Sequence, residues 1–186
     1  MKFSNTVLAT TLISSFLMTG CAIGDEDEYR DKNRWGGSSL DVAPISNASY
    51  KEECGDCHMA YQPGFLPARS WEQIMVSLED HFGENAELDS ETQQQLTKYL
   101  TDNAAEHANY KRSNAMMKSL SYKDTPLRIS ETRYFIRKHD ELPKRVVEDN
   151  PEVKSFSRCE VCHTEADMGS YNEHQVRIPG FGQWED

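Results

Sequence analysis

Apolar residues recur with helical spacing in the middle of the chain. One helix face is predicted by positions i, i+3, i+4, i+7 and i+11, which are occupied by Trp71, Ile74, Met75, Leu78 and Phe82. Ser70 and Gln73 resemble a capping box at the start of this segment, and Gly83 is placed to end it. The pattern therefore predicts a helix over residues 70–82.

Two further segments are predicted to be helical. One runs from Ser90 to residue 107. The other follows a cap at Ser130 and continues to His139, before Pro143 stops it. Prolines and glycines between these segments predict extended loops. The expected fold class is all-α and mostly helical.

The first residues have the pattern of an export signal. Lys2 precedes an apolar stretch over residues 7–18, which is shorter than the roughly 20 residues that span a bilayer. Residues 1–20 are therefore predicted to be a signal peptide. The run from Leu17 to Cys21 resembles a bacterial lipoprotein box, which predicts cleavage before Cys21 and a lipid on its sulfur. An ordinary cleaved signal with an incidental cysteine is the alternative.

Residues 21–46 have the composition of a flexible acidic tether. They contain an acidic run over 24–28 and a Gly-Gly-Ser-Ser run over 36–39. Loss of residues 1–20 leaves 19 basic and 31 acidic residues, a formal charge of −12. Nucleic acid is excluded as a partner, because binding it requires a basic face. The charge fits either a partner with a basic docking patch or simply a soluble acidic surface.

Two five-residue runs carry the chemistry of the chain. Cys54 to His58 and Cys159 to His163 both read Cys-x-x-Cys-His, the signature of covalent c-type haem attachment. Two thiols at this spacing can add to the two vinyl groups on one haem edge, and the adjacent histidine then lies under the iron. The runs predict two covalently attached haem c groups. Haem attachment takes place outside the cytoplasm, in agreement with the export signal.

Other uses of these cysteines fit less well. In a four-cysteine zinc site, the pairs are usually separated by about 15–20 residues, whereas 101 residues lie between Cys57 and Cys159. A thioredoxin-like pair would explain one run only. Two ordinary disulfides are possible in an exported chain but leave both histidines unexplained. The fifth cysteine, Cys21, is accounted for by the predicted lipid.

His58 and His163 are the predicted proximal iron ligands, so the sixth position of each iron remains to be assigned. His81 lies on the same predicted helix face as Ile74 and Leu78, where a buried imidazole needs a partner. His139 shares a face with Phe135 and Ile136 and precedes the second motif by 20 residues. His81 and His139 are therefore the leading candidates for the distal ligands.

Other residues could also fill the sixth positions. His107 lies at the end of its predicted helix, and His174 lies in a polar run, so both are expected at the surface. Methionine sulfur is an alternative ligand in c-type cytochromes. The methionines that stay open as alternatives are Met59, Met75, Met116, Met117 and Met168.

The run from Cys54 to Trp71 resembles the first haem segment of the bacterial dihaem cytochrome c family. Similar blocks continue at residues 81–86, 137–139, 159–163 and 176–179, so that the resemblance covers about residues 50–181. It implies electron transfer through two low-spin haems with His81 and His139 as distal ligands. It also implies redox partners, such as a small oxygen-binding cytochrome c or a membrane cytochrome b.

These features predict an exported electron-transfer protein on the periplasmic side of a bacterial membrane. A first haem lobe resembling a small cytochrome c is expected over 47–112, and a more irregular second lobe over 113–186. No residue is then required as a catalytic acid, base or nucleophile. The alternative is a dihaem enzyme or gas-binding protein, such as a peroxidase or sensor, which requires one iron with an open site.

Replacement of Cys21 by Ser tests the anchoring. We expect Cys21→Ser to abolish lipid addition and to release the protein from the membrane fraction, or to block its processing. Membrane fractionation and the mass of the mature N-terminus measure the outcome. Unchanged association with the membrane in this variant would point to another anchor or to a bound partner.

Overall fold

A computed structural model describes residues 40–184, in which six short α-helices are joined by long irregular segments. The helices are α1 (Ala48–Gly55), α2 (Ala68–Met75), α3 (Ser90–Asp102), α4 (Lys111–Ser119), α5 (Arg133–His139) and α6 (Cys159–Cys162). Two antiparallel two-residue strands near the C-terminus are β1 (Arg177–Ile178) and β2 (Gly182–Gln183). The mostly helical architecture agrees with the predicted all-α class.

Single turns of 3₁₀-helix fill much of the space between these elements. They lie at Pro63–Phe65, Leu78–Asp80, Ile129–Glu131, Lys144–Val146, Ala166–Met168 and Glu173–Gln175. Such turns are usual in short connecting segments. They are more frequent after α5, in agreement with the expectation that the C-terminal part of the chain is irregular.

The predicted helix over 70–82 is wrong at both ends. α2 begins after Pro67, and Ser70, the expected cap, is fully buried inside it. The helix stops at Met75, because Ser77 leaves the helical conformation with φ of −121° and ψ of 29°, and its amide donates to the Ile74 carbonyl, three residues back. His81 therefore lies in a turn and not on the helix.

The other two predicted helices also differ at their ends. α3 is capped by Asp89, which accepts hydrogen bonds from the amides of Glu91 and Thr92, and it ends at Asp102. His107 is therefore outside the helix. α5 is capped by Thr132 rather than by Ser130, because the Thr132 side chain accepts from the amide of Phe135.

Three clusters of buried side chains form the interior. The first packs α2 against α3 and consists mainly of Leu66, Trp71, Ile74, Met75, Leu78, Leu96 and Leu100. The second joins Val42 and Phe65 to Met116, Tyr134 and Tyr171. The third, near the C-terminus, contains Val146, Val147, Val153 and Ile178. The second cluster crosses the expected boundary at residue 112, and the division into lobes over 47–112 and 113–186 stays a prediction.

The N-terminal predictions lie mostly outside the described residues. This is true of the signal peptide over 1–20, of the lipid site at Cys21 and of the tether up to residue 39. Between residues 40 and 184, none of the helices has the length and apolar character needed to cross a membrane.

The last part of the range predicted as a tether is packed against the folded body, which corrects the boundary at residue 46. Val42 is fully buried, and the amides of Asp41 and Val42 both donate to the carbonyl of Gly169. Gly169 has φ of 81°, and a Cβ there would lie 2.5 Å from the Val42 carbonyl oxygen. Only glycine permits this close approach.

A largely buried ion pair fixes the same segment. Asp41 Oδ1 lies 3.1 Å from Arg112 Nε, and the two side chains are only 12% and 17% exposed. Asp41 Oδ2 also accepts a hydrogen bond of 2.7 Å from the amide of Tyr171. Arg112 donates in addition to the Tyr134 hydroxyl and to the Tyr171 carbonyl. Asp41 therefore connects α4 with the C-terminal segment.

We expect Asp41→Ala to lower the free energy of unfolding by roughly 3 kcal/mol, because it leaves the Arg112 guanidinium buried without its counter-ion. Denaturant unfolding of the haem-loaded protein measures the change. Lys98→Ala is the matched control, since the Lys98–Asp102 pair is exposed and should contribute less than about 1 kcal/mol. Equal, small losses in both variants would contradict the role assigned to Asp41.

Candidate haem sites

The first Cys-x-x-Cys-His motif begins inside α1. Asn47 caps this helix by accepting from the amide of Tyr50, and the Tyr50 hydroxyl donates to the Tyr61 carbonyl at 2.7 Å. Cys54 lies in the last turn, and Cys57 and His58 follow the end of the helix. The helix that carries the start of the motif is therefore capped, and its buried residue, Tyr50, is hydrogen-bonded to the chain beyond His58.

His58 faces His81 across a cavity. Their ring centres are 6.3 Å apart and the rings are inclined by 21°. His58 Nδ1 lies 2.8 Å from the Met59 carbonyl oxygen, and its ring stacks on Tyr61. Since one nitrogen of His58 is occupied by the backbone, the other is available toward the cavity.

A tight turn holds His81 in place. The amide of His81 donates to the Glu84 carbonyl at 2.7 Å, and the next residue, Phe82, has φ of 58°. A bulky residue in the left-handed region is uncommon and requires support from its surroundings. The Arg128 guanidinium provides this support, lying 3.8 Å from the centre of the Phe82 ring.

The space between His58 and His81 is called the N-terminal cavity below. Its volume is about 340 Å³ and most of its wall is apolar. Both thiols of the first motif lie on the wall. Among the other side chains around it are Tyr50, Leu66, Trp71, Ile74, Met75, Leu78, Leu88, Leu100, Leu127 and Ile129. The first hydrophobic cluster is thus folded around this cavity.

The second motif forms α6 itself. His163 directly follows Cys162, and its amide donates to the Cys159 carbonyl at 2.8 Å. His163 faces His139, the last residue of α5, with ring centres 6.2 Å apart and an inclination of 78°. His139 Nδ1 lies 2.9 Å from the Phe135 carbonyl oxygen, which fixes the orientation of its ring.

The space between His139 and His163 is called the C-terminal cavity. Its volume is about 350 Å³, and both thiols of the second motif lie on its wall. Its wall also includes Phe65, Met116, Tyr134, Val147, Val153, Tyr171, Ile178 and Trp184. Its rim includes basic side chains at Arg137, Lys138 and Arg158.

The spacing in both histidine pairs fits one metal ion between two imidazole nitrogens. A metal–imidazole bond is about 2 Å long. Two such bonds, together with roughly 1 Å from each nitrogen to its ring centre, give about 6 Å between ring centres. The observed separations are 6.3 Å for His58–His81 and 6.2 Å for His139–His163.

Burial favours the neutral form of His81 and His163, in which one ring nitrogen carries a lone pair that can bind a metal. Burial, together with the nearby His139 and Arg112, lowers the pKa of His163 to about 4. Burial, with smaller effects from His58 and Arg128, lowers the pKa of His81.

Before any haem is attached, burial also favours the protonated form of three of these thiols, Cys54, Cys159 and Cys162. Burial, with a smaller effect from Glu53, raises the pKa of Cys54 to about 11. Burial and the neighbouring Glu160 raise the pKa of Cys159 to about 12 and also raise the pKa of Cys162. Simple thiolate chemistry is therefore disfavoured at these cysteines.

The geometry can be compared with the alternative roles of the cysteines, which are a zinc site and disulfides. Among residues 40–184, Cys54, Cys57, Cys159 and Cys162 form no disulfide. Each motif places both of its cysteines on the wall of its own cavity, which does not match a single four-cysteine zinc site. Within residues 40–184, no group of three or more His, Cys, Asp or Glu side chains is arranged to hold a metal ion.

The other candidate ligands fall into two groups. His107 and His174 are exposed, and neither belongs to the wall of the two cavities within residues 40–184. Met59, Met117 and Met168 also do not belong to either cavity wall. Met75 and Met116 do lie on the walls, where both are buried. The rings that the structure pairs with the motif histidines are those of His81 and His139.

Several hydrogen bonds that connect the segments around the two sites could not be predicted from the sequence. Gln62 is fully buried and links the two halves of the chain: its Oε1 accepts from the Tyr171 hydroxyl and its Nε2 donates to the Ala166 carbonyl. The Tyr61 hydroxyl donates to the Ser157 carbonyl at 2.7 Å. These partners are 96 to 109 residues apart, so spacing along the chain could not have indicated them.

Comparisons with known proteins place the chain in a family. The family model described as dihaem cytochrome c matches residues 50–171. A dihaem c-type cytochrome from Shewanella baltica OS155, known from an X-ray structure, is similar with a TM-score of 0.64 and 44% identity over 76% of this chain and 99% of that one. A dihaem cytochrome c from Rhodobacter sphaeroides is similar with a TM-score of 0.63 and 42% identity over 69% of this chain and 99% of that one. A comparison with curated protein sequences finds no match.

The family match confirms the resemblance seen in the sequence. It covers both motifs and both histidines that face them, and the related structures are aligned over nearly their whole length. Family membership implies two covalently bound haem c groups, each with an iron. Two cavities, each lined by both cysteines of one motif and by one pair of facing histidines, fit that number. The chain belongs to the dihaem cytochrome c family.

Proposed function

We propose that this chain is an electron carrier in which each haem iron has two histidine ligands. The single observation that carries the proposal is the pairing of each motif histidine with a second histidine at about 6 Å, across a cavity that its own cysteines line. Two strong axial ligands leave neither iron with an open position. This favours electron transfer over ligand activation.

In the N-terminal cavity, Cys54 and Cys57 would form the thioethers, His58 would be the proximal ligand and His81 the distal ligand. In the C-terminal cavity, Cys159 and Cys162 would form the thioethers. His163 would there be the proximal ligand, opposite His139. When bound, each haem supplies an iron that cycles between the ferric and ferrous states.

The chain contributes the orientation and the surroundings of each iron. Backbone carbonyls of Met59 and Phe135 fix the rings of His58 and His139 through Nδ1. Such contacts set the ring orientation and raise the basicity of the ligand. The apolar walls exclude water and, with nearby charge, set the reduction potential. None of these roles requires an acid, a base or a nucleophile.

The proposed location is the periplasmic side of a bacterial membrane, with a lipid on Cys21. Support comes from the export signal, from the lipoprotein-like run that ends at Cys21, and from the need to attach haem c outside the cytoplasm.

The proposed partners are redox proteins with a basic docking patch, and a small oxygen-binding cytochrome c or a membrane cytochrome b would be suitable. The charge is unevenly distributed along the chain. Residues 47–112 contain 12 acidic and five basic side chains, a formal charge of −7, whereas residues 113–184 contain 11 of each. Complementary charge raises the rate of encounter. A basic partner is therefore expected to approach the part of the protein that contains the N-terminal cavity.

Covalent haem at both motifs is tested by mass spectrometry of the denatured protein. We expect the mass to exceed that of the mature polypeptide by two haems. Replacement of both Cys54 and Cys57 by Ser should remove one haem and keep the other, because the second motif is independent in sequence. A mass with one haem or none in the unmodified protein would contradict the central assignment.

The distal ligands are tested by His81→Ala and His139→Ala. We expect each variant to convert one haem to a high-spin form that binds carbon monoxide, while the other stays low-spin, because only one axial ligand is lost. Optical spectra of the reduced protein with and without carbon monoxide measure the change. Combination with the Ser variant of Cys54 and Cys57 shows which haem responds: His139→Ala should still open the remaining haem.

His107→Ala and His174→Ala are the matched controls, since both histidines are exposed, and both variants should remain closed to carbon monoxide. If His81→Ala stayed low-spin and closed, Met75, which lies on the same cavity wall, would become the better candidate. If the unmodified reduced protein bound carbon monoxide readily, the electron-carrier function would give way to a gas-binding or enzymatic one.

A further inference from the structure

The two cavities have a common wall. Four residues line both of them: Ile129, Phe135, Phe156 and Cys159. Phe135 and Phe156 are half-buried and supply the two rings of this wall. The two cavities are therefore in contact with the same residues at this point. The wall formed by these four residues is called the partition below.

Aromatic contacts connect the partition directly to His139. The rings of Phe135 and His139 are stacked, with centres 3.9 Å apart and planes inclined by 12°. Phe156 meets Phe135 edge-on at 5.8 Å and meets His139 edge-on at 5.9 Å. The three rings therefore form one packed group, and two of its members also line the N-terminal cavity.

Local structure explains how this group forms. Phe135 and His139 are four residues apart on α5, so that their side chains lie on the same face. The Phe135 carbonyl also accepts from His139 Nδ1, which holds the ring in the stacked position. Phe156 comes from the segment just before the second motif and leads to Cys159, the fourth member of the partition.

We propose that Phe135 and Phe156 are positioning residues that couple the two haem sites, and that electrons pass between the haems across this partition. The inference rests on the proposed function and extends it. In each exchange, one electron leaves the reduced iron on one side and reduces the oxidised iron on the other. No bond is made or broken and no proton moves. Packed apolar rings keep water out of the gap, where it would otherwise screen one iron from the other.

Residues of the partition differ from other cavity residues in the number of cavities that they line. A change in Phe135 alters the surroundings of both haems, while a change in a residue on one cavity alone alters one haem. Phe65 lines the C-terminal cavity but not the N-terminal one, and Leu100 lines the N-terminal cavity but not the C-terminal one. Phe65→Leu and Leu100→Met are therefore the matched controls.

The test uses the haem-loaded protein and the paramagnetically shifted haem-methyl signals of its oxidised form in NMR spectra. Signals are assigned to each haem with the His81 and His139 variants. We expect Phe135→Leu and Phe156→Leu each to shift signals of both haems. Phe65→Leu should shift only the signals of the haem at Cys159, and Leu100→Met only those of the haem at Cys54. A shift confined to one haem in both partition variants would overturn the proposal.

Electron exchange between the haems gives the second measurement. After rapid photoreduction, we expect a several-fold slower exchange in Phe135→Leu and Phe156→Leu, and no change in Tyr122→Leu, since Tyr122 is exposed and lines neither cavity. Phe135→Tyr keeps the ring and should preserve the rate of exchange. If one Leu variant failed to fold, the other Leu variant and Phe135→Tyr would still show whether electron exchange depends on the partition. Unchanged exchange in a folded Leu variant would exclude the partition as the route.

Failure of this proposal is distinguishable from failure of the proposed function. A high-spin haem in the unmodified protein would contradict the histidine ligation before any variant is compared. Two low-spin haems that respond separately to the partition variants would leave the electron-carrier function intact and remove only the coupling through Phe135 and Phe156.

Discussion

The spacing of two imidazole rings is the constraint on which the rest of the structure depends. In each cavity the ring centres lie slightly more than 6 Å apart. The partners come from separate parts of the chain, 23 residues apart in one pair and 24 in the other. Short helices, a left-handed residue after His81 and a stacked ring beside His139 all hold one member of a pair against the other. Much of the apolar interior is arranged as cavity wall, in keeping with a protein whose core is completed by its cofactors.

The two sites meet this constraint in different ways. The rings of His58 and His81 are inclined by 21°, and His81 is held by a turn. The rings of His139 and His163 are inclined by 78°, and His139 is held at the end of a helix. His163 Nδ1 is buried with no hydrogen-bond partner among residues 40–184, whereas His58 Nδ1 meets a backbone carbonyl. Because partners of this kind tune a ligand, the two irons are expected to have unequal surroundings.

The sequence was sufficient for the family and for the number of haems, but not for the local geometry of the sites. The motifs and the family resemblance led to two haems and to the histidines that the structure brings opposite them. The helix that was predicted to carry His81 ends six residues before it, because Ser77 leaves the helical conformation. His81 reaches the cavity through a turn that apolar periodicity cannot describe. Gln62, Tyr171 and the partition depend on contacts between distant segments, and no local pattern encodes such contacts.

The packed segment at Asp41 and Val42 fixes the point at which the N-terminal part of the chain joins the folded body. If a lipid holds Cys21 at a membrane, 20 peptide units separate the anchor from Asp41. A chain of that length reaches at most about 70 Å. The folded body would then sample a thin shell of volume above the bilayer, where a partner in the same membrane has a high effective concentration. A tether that continued to residue 46 would enlarge that shell, so in an anchored protein the contact with Gly169 would shorten the range over which the haems could reach a partner.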